Sequence, residues 1–147
     1  MISFSDVLRC ILGSFFGTLG FAMLARVPRK ALFPSGMIAV MVYLIYWLLP
    51  RTGLSDYLAV FCGSLFGSVA GHLCARRMRI INTVFLMSSI VPVVPGLSLY
   101  RTMASLGQGH MAQGAGIGTE AMIIIVMTSL GLVMGSYLDR LIHEKHV

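Results

Sequence analysis

Hydrophobic residues in this chain are gathered into long continuous stretches instead of alternating with polar residues. Most stretches have the length, about 17 to 25 residues, at which an α-helix crosses the hydrocarbon core of a bilayer. Short clusters of basic and turn-forming residues separate them. The pattern predicts an all-α integral membrane protein, a single transmembrane domain over residues 1–147 with about five helices. The predicted spans are residues 7–24, 32–49, 57–74, 80–94 and 121–138.

The composition indicates that lipid, not water, is the solvent for most of the chain. Of 147 residues, 57% are hydrophobic and 11% are charged, whereas soluble domains carry roughly 45 to 50% apolar and about 25% charged residues. The net charge of +6 lies in short clusters between the hydrophobic stretches. Such clusters are typical of membrane-orientation signals and not of a nucleic-acid groove. We therefore expect the lipid bilayer, and no nucleic acid, as a partner.

Basic residues are distributed unequally between the two sides of the predicted bundle. The loops after the first, third and fifth spans hold eight of them, and the opposite side holds three. Because basic loops remain in the cytoplasm, this bias predicts an N-terminus outside and a C-terminus in the cytoplasm. The eight are Arg26, Arg29, Lys30, Arg76, Arg77, Arg79, Arg140 and Lys145, and the three are Arg9, Arg51 and Arg101.

The first and third spans are copies of one unit, which occupies residues 5–29 and again residues 55–79. A shift of fifty residues gives ten identities in twenty-five positions, and Asp, Ser, Gly and Arg are among them. Shared hydrophobicity alone does not produce such matches. The two copies have the same orientation, so we expect a pseudo-symmetry axis along the membrane normal, an organisation known among transporters.

The fifth span carries a weaker copy at a shift of sixty-four. In each copy an acidic residue precedes an arginine by twenty residues, about 30 Å of helix, so the two lie at opposite membrane faces. The acids and arginines fit either membrane-end anchoring or a function in which Asp56 or Glu120 lines an outer vestibule or carries a coupling proton. The pairs are Asp6 with Arg26, Asp56 with Arg76, and Glu120 with Arg140.

Glycines recur at four-residue spacing in the first, third and fifth spans. This spacing removes side chains from one helix stripe and lets a neighbouring backbone approach closely. We expect tight helix packing there, with a partner chain or a second copy as another possible occupant. The glycines are Gly13, Gly17, Gly63, Gly67, Gly71, Gly131 and Gly135.

The fourth span contains two prolines and a glycine near its end, which predicts a broken helix. Proline removes a backbone donor, and interrupted helices at membrane depth often form substrate sites in transporters. The alternative is an ordinary helix end with Arg101 in the headgroups. The candidate residues for a substrate path are Pro92, Pro95, Gly96, Ser98, Tyr100 and Arg101, with Asn82 and Ser88 as polar neighbours.

No catalytic constellation is recognisable in the sequence. No serine, histidine and acid converge on one membrane depth, no metal-ligand spacing occurs, and no glycine loop has a phosphate-binding context. The three cysteines, Cys10, Cys62 and Cys74, lie inside apolar stretches. We therefore expect neither an enzyme nor a bound cofactor or metal.

Several segments in fixed order resemble the threonine/serine exporter (ThrE-type) family, specifically its small subunit, which corresponds to the C-terminal half of the fused exporters. The resemblance covers nearly the whole chain. It rests on the glycine-containing first span, the basic loop after it and the proline-glycine break with a glycine-rich stretch before the last span. These segments are Gly13–Gly17, Arg26–Lys30, Leu32–Pro34, Val94–Gly96 and Leu99–Tyr100.

The resemblance implies a multi-pass protein of the bacterial inner membrane that exports small amino acids or related carboxylates. It also implies a larger membrane subunit of the same family as partner, and in some two-subunit systems of this type the exported molecule is a dicarboxylate such as succinate. A different hypothesis is a scaffold subunit, whose glycine stripes bind a larger chain that transports unaided.

Overall fold

The computed structural model describes residues 4–144. For residues 4–7, 10, 88, 89, 143 and 144 it describes the backbone only. Over these residues the chain is helical without β-strands, which confirms the predicted all-α class. Six α-helices and a short 3-10 turn, Leu49–Thr52, follow one another. The helices are α1 (Phe4–Leu24), α2 (Arg29–Leu48), α3 (Asp56–Met78), α4 (Asn82–Ile90), α5 (Gly96–Gly107) and α6 (Met111–Glu144).

The helices have the lengths and composition of membrane spans. Within the described residues, three helical segments are long and apolar enough to cross a membrane, and Ile11–Leu24 of α1 is a shorter apolar helix. Large apolar side chains are exposed on the outer faces of all of these helices, as expected for surfaces that lipid covers. The three long segments are Arg29–Thr52, Asp56–Met78 and Met111–Ile142.

The first three helices form two hairpins around α2. Ser14 of α1 donates a hydrogen bond to the Ala39 carbonyl of α2 at 3.2 Å, and a Cβ on Gly63 of α3 would lie 3.4 Å from the Val42 carbonyl oxygen of α2. The connections are short, so each hairpin is antiparallel. The two copies of the repeat, α1 and α3, therefore run in the same direction.

Helices α3 and α6 pack side by side along most of α3, and they are parallel. Ser68 donates to the Leu132 carbonyl at 3.0 Å, and further along both helices Arg76 forms an ion pair with Asp139 at 2.5 Å. A Cβ on Gly135 would lie 2.6 Å from the Cβ of Ser68. The glycines of α6 thus let the two backbones approach closely, as small residues do in membrane bundles.

The segment predicted as the fourth span is divided between two helices. Helix α4 ends at Ile90, and α5 begins at Gly96. Pro92 and Pro95 lie between them, and because proline has no backbone N–H, the helix ladder cannot continue through this segment. The break is as predicted, but α4 has only nine residues and is too short to cross the bilayer alone.

The glycine-rich segment 107–118 differs from the expectation of a polar connection before the fifth span. Only the turn at residues 108–110 is non-helical, and α6 begins at Met111. A Cβ on Gly114 would lie 2.8 Å from the Leu106 side chain, and one on Gly118 would lie 3.1 Å from Thr102. These glycines therefore serve helix packing, because they let α5 fold back against the first half of α6.

Candidate functional site

A cavity of about 410 Å³ lies where the helix break meets α1 and α2. We call it the break cavity. Its volume falls at the lower end of the range of about 300 to 1,000 Å³ that is typical of small-molecule sites. The cavity is lined by Arg9, Gly13, Ser14, Gly17 and Thr18 of α1, Tyr43 of α2, and Val91 and Pro92 of the break.

Helix α1 contributes both space and polar groups to the break cavity. A Cβ on Gly13 or Gly17 would meet no atom within 4 Å, so these two glycines leave the volume open. Thr18 is 1% exposed, and its hydroxyl has no hydrogen-bond partner among the described residues. A buried hydroxyl without a partner costs free energy, which makes Thr18 a candidate ligand contact.

The break itself supplies the opposite wall. In a continuous helix the backbone N–H of residue 95 would donate to the carbonyl of Val91, but residue 95 is proline and has no N–H. Val91 and Pro92 line the cavity. The wall therefore includes a residue, Val91, whose carbonyl has lost its helical donor, and such carbonyls occur where interrupted helices form transporter sites.

A second cavity, of about 430 Å³, lies at the N-terminal end of α3, and we call it the acidic cavity. It brings together Asp56 and Glu120, the two predicted vestibule or coupling residues. This follows from the parallel packing of α3 and α6, which places the acids of the two helices at the same end. The remaining lining residues are Tyr46, Leu54, Ser55, Tyr57, Val60 and Ile124.

Two neighbouring tyrosines of α2 line different cavities. Tyr43 lines the break cavity and Tyr46 lines the acidic cavity. Their ring centroids lie 6.1 Å apart with an angle of 55° between the ring planes. Neighbouring aromatic side chains of one helix thus line the two cavities.

The predicted substrate-path residues are distributed over several places. Pro92 lines the break cavity, whereas Gly96 lines an apolar cavity beside Phe21 and Val94. Tyr100 is 70% exposed, and Arg101 on the next position of α5 is exposed as well. The predicted convergence of Tyr100 and Arg101 with the break is therefore not seen, and a role for them in transport stays a prediction.

The remaining candidates occupy the two ends of the interrupted segment. Pro95 immediately precedes α5, and the Ser98 carbonyl accepts a hydrogen bond from Thr102 at 2.8 Å. Asn82 begins α4, and its buried side-chain oxygen has no hydrogen-bond partner among the described residues. The side chain of Ser88 lies outside the described part of the chain. Pro95, Ser98 and Asn82 are not among the described residues that line the break cavity.

The predicted packing glycines divide into two groups. Gly63 and Gly71 of α3 lie against α2 and α4, and Gly131 and Gly135 of α6 lie against α3. Gly67 is buried as well. No described residue occupies the space beside Gly13 and Gly17 of α1, so these two glycines pack against none of the described helices.

The sequence prediction did not include four polar residues of the break cavity: Arg9, Ser14, Thr18 and Tyr43. Two signals were available. Arg9 lies inside the predicted span 7–24, and an ionisable side chain within a span indicates a functional site. Thr18 is the repeat equivalent of Ser68 at the shift of fifty residues, so a polar role at this position could have been inferred from the repeat.

The fold and the cavities define a class before any comparison with other proteins. Long apolar helices, an interrupted helix and a small cavity with a few polar groups beside the interruption are features of α-helical membrane transport proteins. The family model described as "Threonine/Serine exporter, ThrE" matches residues 10–138. The chain therefore belongs to the threonine/serine exporter family, as its sequence motifs predicted.

One curated relative shows how much of a longer protein this chain corresponds to. An "Uncharacterized protein" of Haemophilus influenzae (strain ATCC 51907 / DSM 11121 / KW20 / Rd) is 29% identical over 93 residues. The match covers 63% of this chain and 31% of the relative, so the chain spans about a third of that protein's length. No solved structure matches the chain.

Proposed function

We propose that this chain is the small subunit of a two-component secondary exporter of small amino acids or carboxylates, of the threonine/serine type or for a dicarboxylate such as succinate. The observation that carries the proposal is the break cavity, which combines an interrupted helix with a buried unpartnered hydroxyl and one arginine. Membership of the exporter family supports transport as its purpose. The larger subunit would supply the rest of the path.

The two-component arrangement is supported by the coverage of the relative. The match leaves 69% of the Haemophilus influenzae protein uncovered (100% minus the 31% that matches). In the proposed arrangement, a second membrane chain of the same family supplies that part. We place the complex in the bacterial inner membrane.

The proposed topology keeps the N-terminus outside and the C-terminus in the cytoplasm. The parallel helices α1, α3 and α6 would each cross in this sense, α2 would cross in the opposite sense, and α4 with α5 would form the interrupted fourth crossing. The Arg76–Asp139 pair would then lie at the cytoplasmic end of the bundle, and the acidic cavity at the outer end.

Coupling is assigned to the acidic cavity. Intramembrane acids are common in proton relays. Asp56 and Glu120 line this cavity, and Tyr46 of the same cavity lies beside Tyr43 of the break cavity. A coupling proton carried by Asp56 or Glu120 would be linked to substrate movement through the break cavity.

The test is efflux of labelled threonine, serine and succinate from cells with and without each subunit. The proposal predicts loss of export of at least one of these molecules when this chain is absent, and recovery when it is restored. Replacement of Pro95, Tyr100 or Arg101 tests the path over α5 and should abolish export with assembly intact. Unchanged efflux in all three variants would remove these residues from the path.

One observation favours a second function, a scaffold subunit. The stripe formed by Gly13 and Gly17 has nothing within 4 Å of either position, and a helix of the larger chain could pack there. In that case the larger chain transports unaided. Export by cells that contain the larger chain and lack this one would decide for the scaffold.

A further inference from the structure

We propose that the break cavity is the site that binds the carboxylate of the exported molecule, with Arg9 as the ion-pair partner and the Thr18 hydroxyl as a hydrogen-bond donor. The inference rests on the proposed function, and it identifies which residues of the chain hold the ligand. Neither of these two side chains belongs to the substrate path that the sequence predicted around the helix break. The ligand class is a short carboxylate, which threonine, serine and succinate share.

The Thr18 hydroxyl is the first argument for a ligand. Two other buried or half-buried hydroxyls near helix contacts have acceptors: Thr128 donates to the Ile124 carbonyl at 2.8 Å, and Ser68 donates to the Leu132 carbonyl at 3.0 Å. The buried Ser35 hydroxyl of α2 also has no partner among the described residues, but it does not line the break cavity. Thr18 lines the cavity at 1% exposure and has no such acceptor among the described residues. A carboxylate oxygen in the cavity would satisfy it.

Charge is the second argument. Arg9 is the one charged residue among the described residues that line the break cavity. A carboxylate at membrane depth needs a compensating charge, and the planar guanidinium of arginine can hold a carboxylate through two parallel hydrogen bonds. The net positive lining therefore selects anionic over cationic groups.

The third argument concerns an amino group on the ligand. The Val91 carbonyl faces a helix position where Pro95 has no N–H to offer, and Val91 lines the cavity opposite α1. An ammonium group could donate to this carbonyl while the carboxylate contacts Arg9 and Thr18. Succinate would use the carboxylate contacts alone, so the same cavity accepts both ligand types with different strengths.

The first experiment measures binding of labelled succinate and labelled threonine to the full-length chain with its partner subunit in lipid nanodiscs. Thr18→Val keeps the shape of the side chain and removes the hydroxyl, and Thr128→Val is the matched control on α6. We expect Thr18→Val to weaken binding by about ten- to hundredfold, the effect of one hydrogen bond to a charged group. Thr128→Val should bind as the original protein does.

The charge is tested with Arg9→Gln and Arg9→Lys. The glutamine variant should lose about ten- to hundredfold in affinity for both probes. Lysine should recover only part of the loss, because it retains the charge but cannot form two parallel hydrogen bonds to one carboxylate. Arg51→Gln is the control, since Arg51 lies over the Trp47 ring in the turn after α2 and outside the cavity. Threonine methyl ester, which has no carboxylate, should not compete with either probe.

The volume of the cavity is tested by filling it. Gly17→Leu should reduce both binding and efflux by about tenfold or more, whereas Gly20→Leu should leave both unchanged. Both glycines have no atom within 4 Å of an added Cβ, so neither variant should disturb folding, but only Gly17 lines the cavity. Equal losses in both variants would overturn the ligand site and indicate a helix-docking surface.

Failure of this inference differs from failure of the proposed function. If the original complex exports labelled substrate while Thr18→Val, Arg9→Gln and Gly17→Leu bind and export normally, the cavity assignment is overturned and the exporter stands. If the original complex exports none of the three labelled molecules, the proposed function fails. Binding of succinate that depends on Arg9 would then still support a carboxylate site.

Discussion

Helices α1 and α3 descend from one repeated sequence unit, yet their surroundings differ. In α3, Gly63 lies against α2 and Ser68 donates to a carbonyl of α6. In α1, the equivalent residues Gly13 and Thr18 have open space beside the glycine and no hydrogen-bond partner for the hydroxyl. The same residue types thus pack helices in the second copy and line a cavity in the first.

The difference shows that a small-residue stripe does not by itself define a role. Small residues permit close approach, but whether a helix or a ligand occupies the space depends on the number of neighbours. Helix α3 is surrounded by α2, α4 and α6, whereas α1 contacts mainly α2. The copy with fewer neighbours is therefore the one free to form a binding site.

The two copies also end differently, and one residue explains this. Each helix is followed by an arginine in the left-handed conformation, with φ of 54° at both Arg26 and Arg79. These arginines are not repeat equivalents, because α3 continues four residues further than α1 relative to the shift of fifty. Pro28 in the first copy restricts the preceding residue and ends the helix early, and Met78 stands at the equivalent position in the second.

The largest predicted effect is in the packed copy. Gly135→Val would force a side chain into Ser68, whose Cβ already lies 2.6 Å from the position of an added Cβ. We expect destabilisation at or above the upper end of the ~1 to 3 kcal/mol typical of overpacking. Thermal unfolding in detergent micelles checks this. Gly20→Val on α1 is the control, and equal losses in the two variants would refute the contrast between the copies.

The next effect concerns the ion pair that joins α3 and α6. Asp139 is 5% exposed at its side chain and Arg76 is 42% exposed, so Asp139→Asn should cost more than the ~1 kcal/mol of a surface pair and less than the ~3 to 5 kcal/mol of a fully buried one. Arg26→Gln tests the equivalent arginine of α1 and should not change the unfolding temperature. The arginine of α1 has no ion pair among the described residues.

The smallest effect compares the two equivalent hydroxyls. Ser68→Ala removes the bond to Leu132 and should cost about 0.6 kcal/mol, the average for hydrogen bonds between membrane helices. Thr18→Val removes a hydroxyl without a partner, so stability should be unchanged or slightly higher. Chemical or thermal unfolding of both variants measures the difference. A loss in Thr18→Val as large as that in Ser68→Ala would mean that its hydroxyl is bonded.

The sequence predicted those features that depend on repetition and on hydrophobic length. Span length predicted the helical class, and proline chemistry predicted the break near Pro95. The shift of sixty-four residues predicted that the acidic residues lie at the same end of the bundle. Helices α3 and α6 pack in parallel, so residues that are related by this shift lie at matching depth and come into contact. Asp56 and Glu120 therefore line one cavity.

The sequence did not predict features that depend on which helices become neighbours. The glycine-rich segment 107–118 was predicted to be a connection, but its glycines let α5 pack on α6. Glycine disfavours a helix by itself, and the packing stabilises the helix in spite of this. The break cavity escaped prediction for a related reason. Its polar residues come from α1 and α2, which are distant in sequence from the prolines that form its other wall.

The most direct test of the central claim is protection of the break cavity by substrate. In a variant with Cys10, Cys62 and Cys74 replaced by alanine, Gly17→Cys should react with a membrane-impermeant maleimide, and succinate or threonine should slow the reaction. Gly116→Cys, on the exposed side of α6 with no atom within 4 Å, should react at a rate that neither molecule changes. A reaction at Gly17→Cys that is equally insensitive to both carboxylates would contradict the account.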